Sequence, residues 1–364
     1  MNNYKKTYIE ALRIIALVFV FFNHTGDNGF YLYTSVDNTI IQAIYLSISF
    51  LSRIAVPIFF MISGGLLIGR NEIYSELFNK RILRVLIILI LFSSINYLFT
   101  LKGDISDFSI SYFLQTLYSS EIIQSYWYLY YYIGFLIFLP FLRKMVISMQ
   151  KNDFFYLFTI CFIFQVIFSF IDAYFNVYHN SYVNSVFLEW FFLYPLAGYY
   201  FETLFDYKKV KKTLVLLTFM SSLCILATLL FTKNEMNITN NLTTQRYMSL
   251  FVAIPAITTY LLIKSYFMKY SLPRIIEKVI IFFGSTTFGC YLINEILILN
   301  IYNPVFYLLN KTISPIFACF FCIIICIVIG GGIIFLLKKT TNFQKNHVSG
   351  QKSTHIQINI HQLS

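Results

Sequence analysis

With 58% of its 364 residues hydrophobic and only 12% charged, the chain carries about half the charge of an ordinary soluble domain. Together with a mean hydropathy of +0.69, that excludes a soluble globular protein. The net charge of +11 does not indicate nucleic acid either, because the basic residues lie in short loops between apolar runs.

Those runs predict ten membrane spans, at 7–25, 40–68, 82–101, 125–142, 154–172, 185–203, 213–231, 247–267, 277–300 and 314–337. Lipid gives bare backbone groups no water, so a span is a helix or part of a closed barrel. Continuous apolar runs without strict alternation select helices. The expected fold class is an all-α polytopic membrane protein: one membrane domain over 1–337 and a short polar tail over 338–364, read as disordered.

The first run contains "RIIALVFVFFNH", residues 13–24. Arg13 and His24 are eleven residues apart, which returns to nearly the same helix face after a rise of about 16 Å. Ionisable groups within a membrane usually line a cavity or pathway. The plainer alternatives are that Arg13 snorkels to the headgroups and that His24 rests at the interface. The segment "MNNYKK" before this run looks like the start of a signal peptide. No small-residue cleavage site follows, so the first run is expected to remain as a span.

The second run, "SISFLSRIAVPIFFMISGGLLIGR", holds Arg53 too deep for a loop charge, then Ser63 and two glycines that permit close helix approach. Pro57, and later Pro195 and Pro255, each remove a helix hydrogen bond and can kink a span. The third span opens with "KRILRVL". Arg81 and Arg84, spaced i,i+3, present two guanidinium forks suited to phosphate oxygens, or simply anchor the span at a basic interface. The loop at 102–124 is the longest on the other side and carries Asp104, Asp107 and Glu121.

All six cysteines (Cys161, Cys224, Cys290, Cys319, Cys322, Cys326) fall inside apolar runs. The Cys319–Cys322 pair therefore reads as packing rather than as a redox or zinc motif. No metal site is expected, since His179, His347, His355 and His361 lack partners at ligand spacing. Placing both termini in the cytoplasm puts 21 Lys and Arg residues inside and 4 outside, with Arg13 and Arg53 within spans. Abundant Ile, Asn, Lys, Phe and Tyr point to an AT-rich bacterial genome.

The arrangement resembles the membrane-bound acyltransferase 3 family, which includes bacterial carbohydrate O-acetyltransferases. The residues that carry the resemblance are Arg13, ten residues and His24; "RIAVPIFFMISGGLL" at 53–67; "RILR" at 81–84; "YWYLYYYIGFLIFLPFL" at 126–142; "FFLYPLAGYYF" at 191–201; and "FGCYLINEILIL" at 288–299. Family members often have a histidine after Tyr-Leu-Ile in the last of these; this chain has Asn294, to which no catalytic role is assigned. Some relatives carry an extracytoplasmic hydrolase-like domain, whereas this chain is expected to end in its short tail.

The resemblance implies an acyl-CoA donor, most simply acetyl-CoA, taken from the cytoplasm, with no permanently bound cofactor. It also implies a carbohydrate acceptor (capsule, wall or lipid-linked sugar) and a bacterial cytoplasmic membrane. On that reading Arg81, Arg84 and Arg53 hold the donor, and Arg13, counted with the catalytic residues, steadies the donor or the orientation of His24. His24 is the general base, or less simply an acyl carrier. Asp27, one turn on, is a candidate for orienting the imidazole, and Ser63, Trp127, Tyr128 and Tyr291 for lining the substrate pocket. A transporter or flippase of polysaccharide precursors is the rival reading, since many helices, kinked spans and buried arginines suit it too. A structural subunit of a polysaccharide synthase is a third. The sequence carries no signature of oligomeric state.

Overall fold

The structure, a computed structural model, describes residues 3–101, 108–161, 163, 190–235 and 250–356. It is helical, with no strand among the described residues. The helices are α1 (Asn3–Asn23), α2 (Thr39–Ser52), α3 (Ala55–Leu67), α4 (Tyr74–Thr100), α5 (Ile110–Ser119), α6 (Trp127–Ser148) and α7 (151–161). They continue with α8 (Trp190–Thr203), α9 (Val210–Glu235), α10 (Leu250–Lys269) and α11 (Arg274–Leu292). Helix α12 follows over 294–309 with a π-helical stretch at Ile298–Tyr302, and α13 is Pro315–Ile356.

Among the described residues, seven helical stretches are long and apolar enough to cross a membrane: Thr39–Leu67, Tyr74–Thr100, Gln124–Ser148, Tyr207–Leu230, Phe251–Lys269, Arg274–Leu292 and Pro315–Lys339. The chain is a helical polytopic membrane protein. Of the other three expected spans, α1 is long enough but bears Glu10 and Arg13 after a basic start. Most of 154–172 lies outside the described residues, as do residues 185–189 ahead of α8.

The second expected span is present as Thr39–Leu67 and is kinked at Arg53 and Ile54, because Pro57 has no N–H to offer the Arg53 carbonyl and its ring crowds it. Three expectations are corrected. The expected span 277–300 breaks at Ile293, where the Tyr126 hydroxyl takes the Leu292 carbonyl at 2.6 Å. The loop at 102–124 contains the helix α5, capped by the Ser109 hydroxyl on the Tyr112 N–H; Asp104 and Asp107 lie outside the described residues. The backbone of 338–356 continues α13 instead of forming an irregular tail.

Helix α1 is the hub: it packs against α2, α3, α10, α11 and α13, and Leu12, Ala16, Phe21 and Phe22 on it are wholly buried. In lipid no solvent drives helices together, so contact area and close approach must do so. The α3–α8 crossing uses both. A Cβ at Gly64 would strike the Pro195 backbone, and one at Gly198 the Met61 backbone, neither of which can yield. Apolar residues such as Ile90 and Leu91 on α4 and Phe219 on α9 are left exposed, as lipid-facing residues are.

Hydrogen bonds define one end of the bundle. Thr7 on α1 meets Glu277 on α11, Lys264 on α10 meets Phe201 and Glu202 on α8, and Arg143 on α6 meets Leu67 on α3. Lys80, Lys144 and Lys208 lie on neighbouring turns, so this is the basic end. Helix α1 runs from it toward the opposite end but stops short. Asn23 exchanges hydrogen bonds with Ser52, thirteen residues after the start of α2. The end of α1 therefore lies about 20 Å below the first residue of α2, roofed by the segment that follows it. Gly26, at φ 56°, turns the chain there, in a conformation an L side chain adopts only with strain.

Candidate active site

A cavity of about 840 Å³ runs along α1 from the basic end to the roof. Toward the basic end its wall includes Arg13, Ser63, Arg84 and Ser285; its middle is apolar, with Val20, Phe59 and Ile88. Toward the roof it includes Asn23, His24, Tyr31, Arg53, Gln124, Ser125 and Glu295. Trp127, Tyr128, Tyr132 and Tyr291 form an aromatic side wall. Arg13, His24, Arg53, Arg84, Ser63, Trp127, Tyr128 and Tyr291, singled out in the sequence, thus share one space.

Arg13 is not a bare charge. Its Nη1 donates to both carboxylate oxygens of Glu10, one turn earlier, at 2.9 and 3.1 Å. Glu10 is buried against Gly284, whose missing side chain makes room for it. The pair leaves Arg13 31% exposed on the cavity side. Arg84 is exposed at the mouth and makes no hydrogen bond or ion pair among the described residues.

Arg81 has been drawn elsewhere. Its Nε donates to both oxygens of Glu72, at 3.0 Å each, while Arg143 donates to Glu72 Oε2 at 2.9 Å and to the Leu67 carbonyl. A π-turn over Phe78–Ile82 shifts the register of α4, so the two guanidiniums part: Arg84 reaches the cavity and Arg81 does not line it. The hydrogen bond from Arg81, foremost, and that from Arg143 hold the Glu72 carboxyl below the usual carboxylate range.

Arg53 stands at the His24 end, not beside Arg84 as a shared donor-binding role implied. The break between α2 and α3 turns its guanidinium over the Phe30 ring, 4.5 Å from the centroid, where its charge acts on the His24 imidazole. Asp27, a candidate for orienting that imidazole or else a plain loop carboxylate, is exposed. Asn294 takes the place instead: its side-chain nitrogen lies 2.7 Å from His24 Nδ1. Ser125 Oγ reaches the Asn294 oxygen at 3.4 Å, and Tyr291 donates to the Ser125 carbonyl at 2.6 Å, so Asn294 is itself held. The amide's two ends are nearly the same shape, so this contact serves either neutral tautomer of His24.

The aromatic wall is braced rather than loose. Tyr128 packs edge-on to Phe60 at 5.2 Å and to Tyr291 at 5.9 Å, and stacks on Tyr132 at 5.8 Å. Ser63 donates its hydroxyl to the Phe59 carbonyl in its own helix. All six cysteines are free and buried. No group of metal-ligating residues occurs among the described residues.

The family model of an acyltransferase domain, that of the acyltransferase 3 family, matches residues 6–332. The chain belongs to this family. It is a membrane acyltransferase, and the transporter and structural-subunit readings give way to that. No curated protein and no solved structure matches the chain. The match runs from α1 to the middle of α13 and includes every residue that lines the cavity. Sequence reading had missed Glu10, Glu72, Arg143 and Glu295 and had left Asn294 without a role. Only Glu10 carried a local signal, standing three residues before Arg13.

Proposed function

We propose that the protein moves an acyl group, most simply acetyl, from cytoplasmic acyl-CoA to a hydroxyl of a cell-surface carbohydrate or its precursor in a bacterial membrane. The observation that carries this reading is that His24, Arg13 and Arg84 share one cavity along α1. On this reading the basic end faces the cytoplasm. Arg84, exposed at the mouth with its donors uncommitted, takes nucleotide phosphates, and Arg13, fixed by Glu10, guides the arm past it. The rise of about 16 Å between Arg13 and His24 suits an extended pantetheine arm, leaving the thioester beside the imidazole.

His24 then acts as general base. With the Asn294 amide turned over, its oxygen accepts from a protonated Nδ1 and its nitrogen faces Ser125 Oγ, which leaves Nε2 free to take the acceptor's proton. The acceptor oxygen attacks the thioester carbonyl carbon, forming the C–O bond. Arg53 stabilises the charge that develops on the carbonyl oxygen. The tetrahedral species collapses with cleavage of the C–S bond, and the imidazolium returns its proton to the departing CoA thiolate. The aromatic wall of Trp127, Tyr128 and Tyr291 suits the face of a sugar ring.

Proton NMR of surface carbohydrate tests this in cells that are intact, deleted for the gene, or carrying His24→Ala at matched protein level. The expected result is unchanged carbohydrate yield with an O-acyl signal lost in both altered strains. An O-acyl signal that survives deletion would overturn the acceptor class, and one that survives His24→Ala would remove His24 from the reaction.

A further inference from the structure

Glu295 is the one carboxylate among the described residues that line the cavity, and it has no use in the steps above. Three arginines and a histidine share that cavity, yet no described residue hydrogen-bonds or ion-pairs with it. It is half-buried. A carboxylate taken partly out of water without donors is costly, and donors from a bound ligand relieve that cost. Its place is specific: it adjoins Asn294, the partner of His24, at the roof end and is close enough to act electrostatically on Tyr126. Gln124 and Trp127, an amide and an aromatic face, stand on the same wall.

The donor cannot be what Glu295 awaits. On the reading above its phosphates stay at Arg84 near the basic end, and the acyl thioester that reaches the roof has no hydrogen-bond donor to offer a carboxylate. Resting on the acyl-transfer reading above, we infer that Glu295 binds the acceptor and sets its class. Its two oxygens accept hydrogen bonds from neighbouring hydroxyls or an ammonium group on the sugar that is acylated. That sugar is therefore neutral or amino-bearing. A sugar with a carboxylate or phosphate at the same place is refused, since two like charges would face each other in a poorly solvated space.

The first test asks which sugar carries the acyl ester in cells with the intact gene. A neutral or amino sugar is expected; an ester on a uronate or a phosphorylated sugar overturns the inference. The second uses membranes holding the full-length protein, acetyl-CoA, and polysaccharide from the gene-deleted strain as acceptor. Glu295→Gln is expected to raise KM for the polysaccharide about tenfold, the cost of one lost charged hydrogen bond, and to leave KM for acetyl-CoA within about twofold. Glu295→Asp, which keeps the charge, recovers part of the loss and serves where the Gln variant fails to accumulate. A changed KM for acetyl-CoA, or a loss confined to kcat, overturns the assignment. If gene deletion leaves every ester in place, the proposed function has failed and this inference falls with it. A failure at Glu295 alone leaves that function standing.

Discussion

Two polar clusters are sunk in this bundle, and they are built on opposite plans. Near the basic end, Glu202 Oε1 accepts from Tyr8 at 2.6 Å, Lys264 at 2.7 Å and Tyr260 at 2.9 Å. Lys264 also donates to the Phe201 carbonyl and lies 4.7 Å from the Tyr207 ring centroid. Both charged side chains are less than 10% exposed, and none of these five side chains lines the cavity. Around His24 the plan is reversed. Asn294 holds one ring nitrogen and the other is left to the cavity, while Glu295 has no described partner at all. The first cluster is closed, joining α1, α8 and α10; the second has capacity to spare, aimed at empty space. Where two buried polar clusters could each pass for chemistry, spare capacity facing a cavity tells the site from the scaffold.

If that contrast is right, the two clusters fail differently when cut. His24→Ala is expected to lower acyl transfer by about 10²- to 10⁴-fold, the range of a positioned general base, with thermal unfolding in detergent unchanged. Lys264→Met should do the reverse. It strands Glu202 beside two tyrosines, at a cost of about 3–5 kcal/mol, so the melting temperature drops while the protein that stays folded keeps its kcat. A Lys264→Met protein that melts normally but cannot turn over would erase the distinction. Asn294→Ala sits between them. It removes a positioning contact, so kcat is expected to fall by about tenfold with little change in KM, and the pH profile of kcat shifts as the tautomer preference is lost. Arg84→Ala at the mouth should instead raise KM for acetyl-CoA, again by about tenfold, and flatten its salt dependence.

The helices and the stripe along α1 were legible in the chain; the contacts that build either cluster were not. Apolar length alone located the helices, because in lipid the backbone has no other solution. The Arg13–His24 stripe followed from helix period. So could the interruption at Arg53 have done, with Pro57 four residues later. What did not show was anything that depends on which helix is a neighbour. Asn294 meets His24 across 270 residues of sequence, and Lys264 meets Glu202 across 62. The break at Ile293 has no proline or glycine to announce it; a tyrosine from another helix takes the carbonyl. Arg81 and Arg84 looked alike because spacing was all that could be read. A π-turn and an acid nine residues upstream separated them, and neither has a periodic signature.

That separation gives the finest test of the comparison, since Glu72 holds Arg81 and no described partner holds Arg84. Glu72, which holds Arg81, lies in the link between α3 and α4, outside the spans. Its carboxyl has a lower pKa in the folded protein than the ordinary 4.5. Its contribution to stability is therefore present in full above about pH 4.5 and is lost as the pH falls through the folded value, where the carboxylate takes up a proton and releases both arginines. Melting temperatures measured downward from pH 6 should decline more steeply for the intact protein than for Glu72→Gln, and the two curves should converge at the acid end. Arg84→Ala should leave the acid limb as it is, because no described acid is paired with it. Should Arg84→Ala also flatten that limb, then Arg84 belongs with the clamp at Glu72 and the mouth of the cavity has lost its free cation.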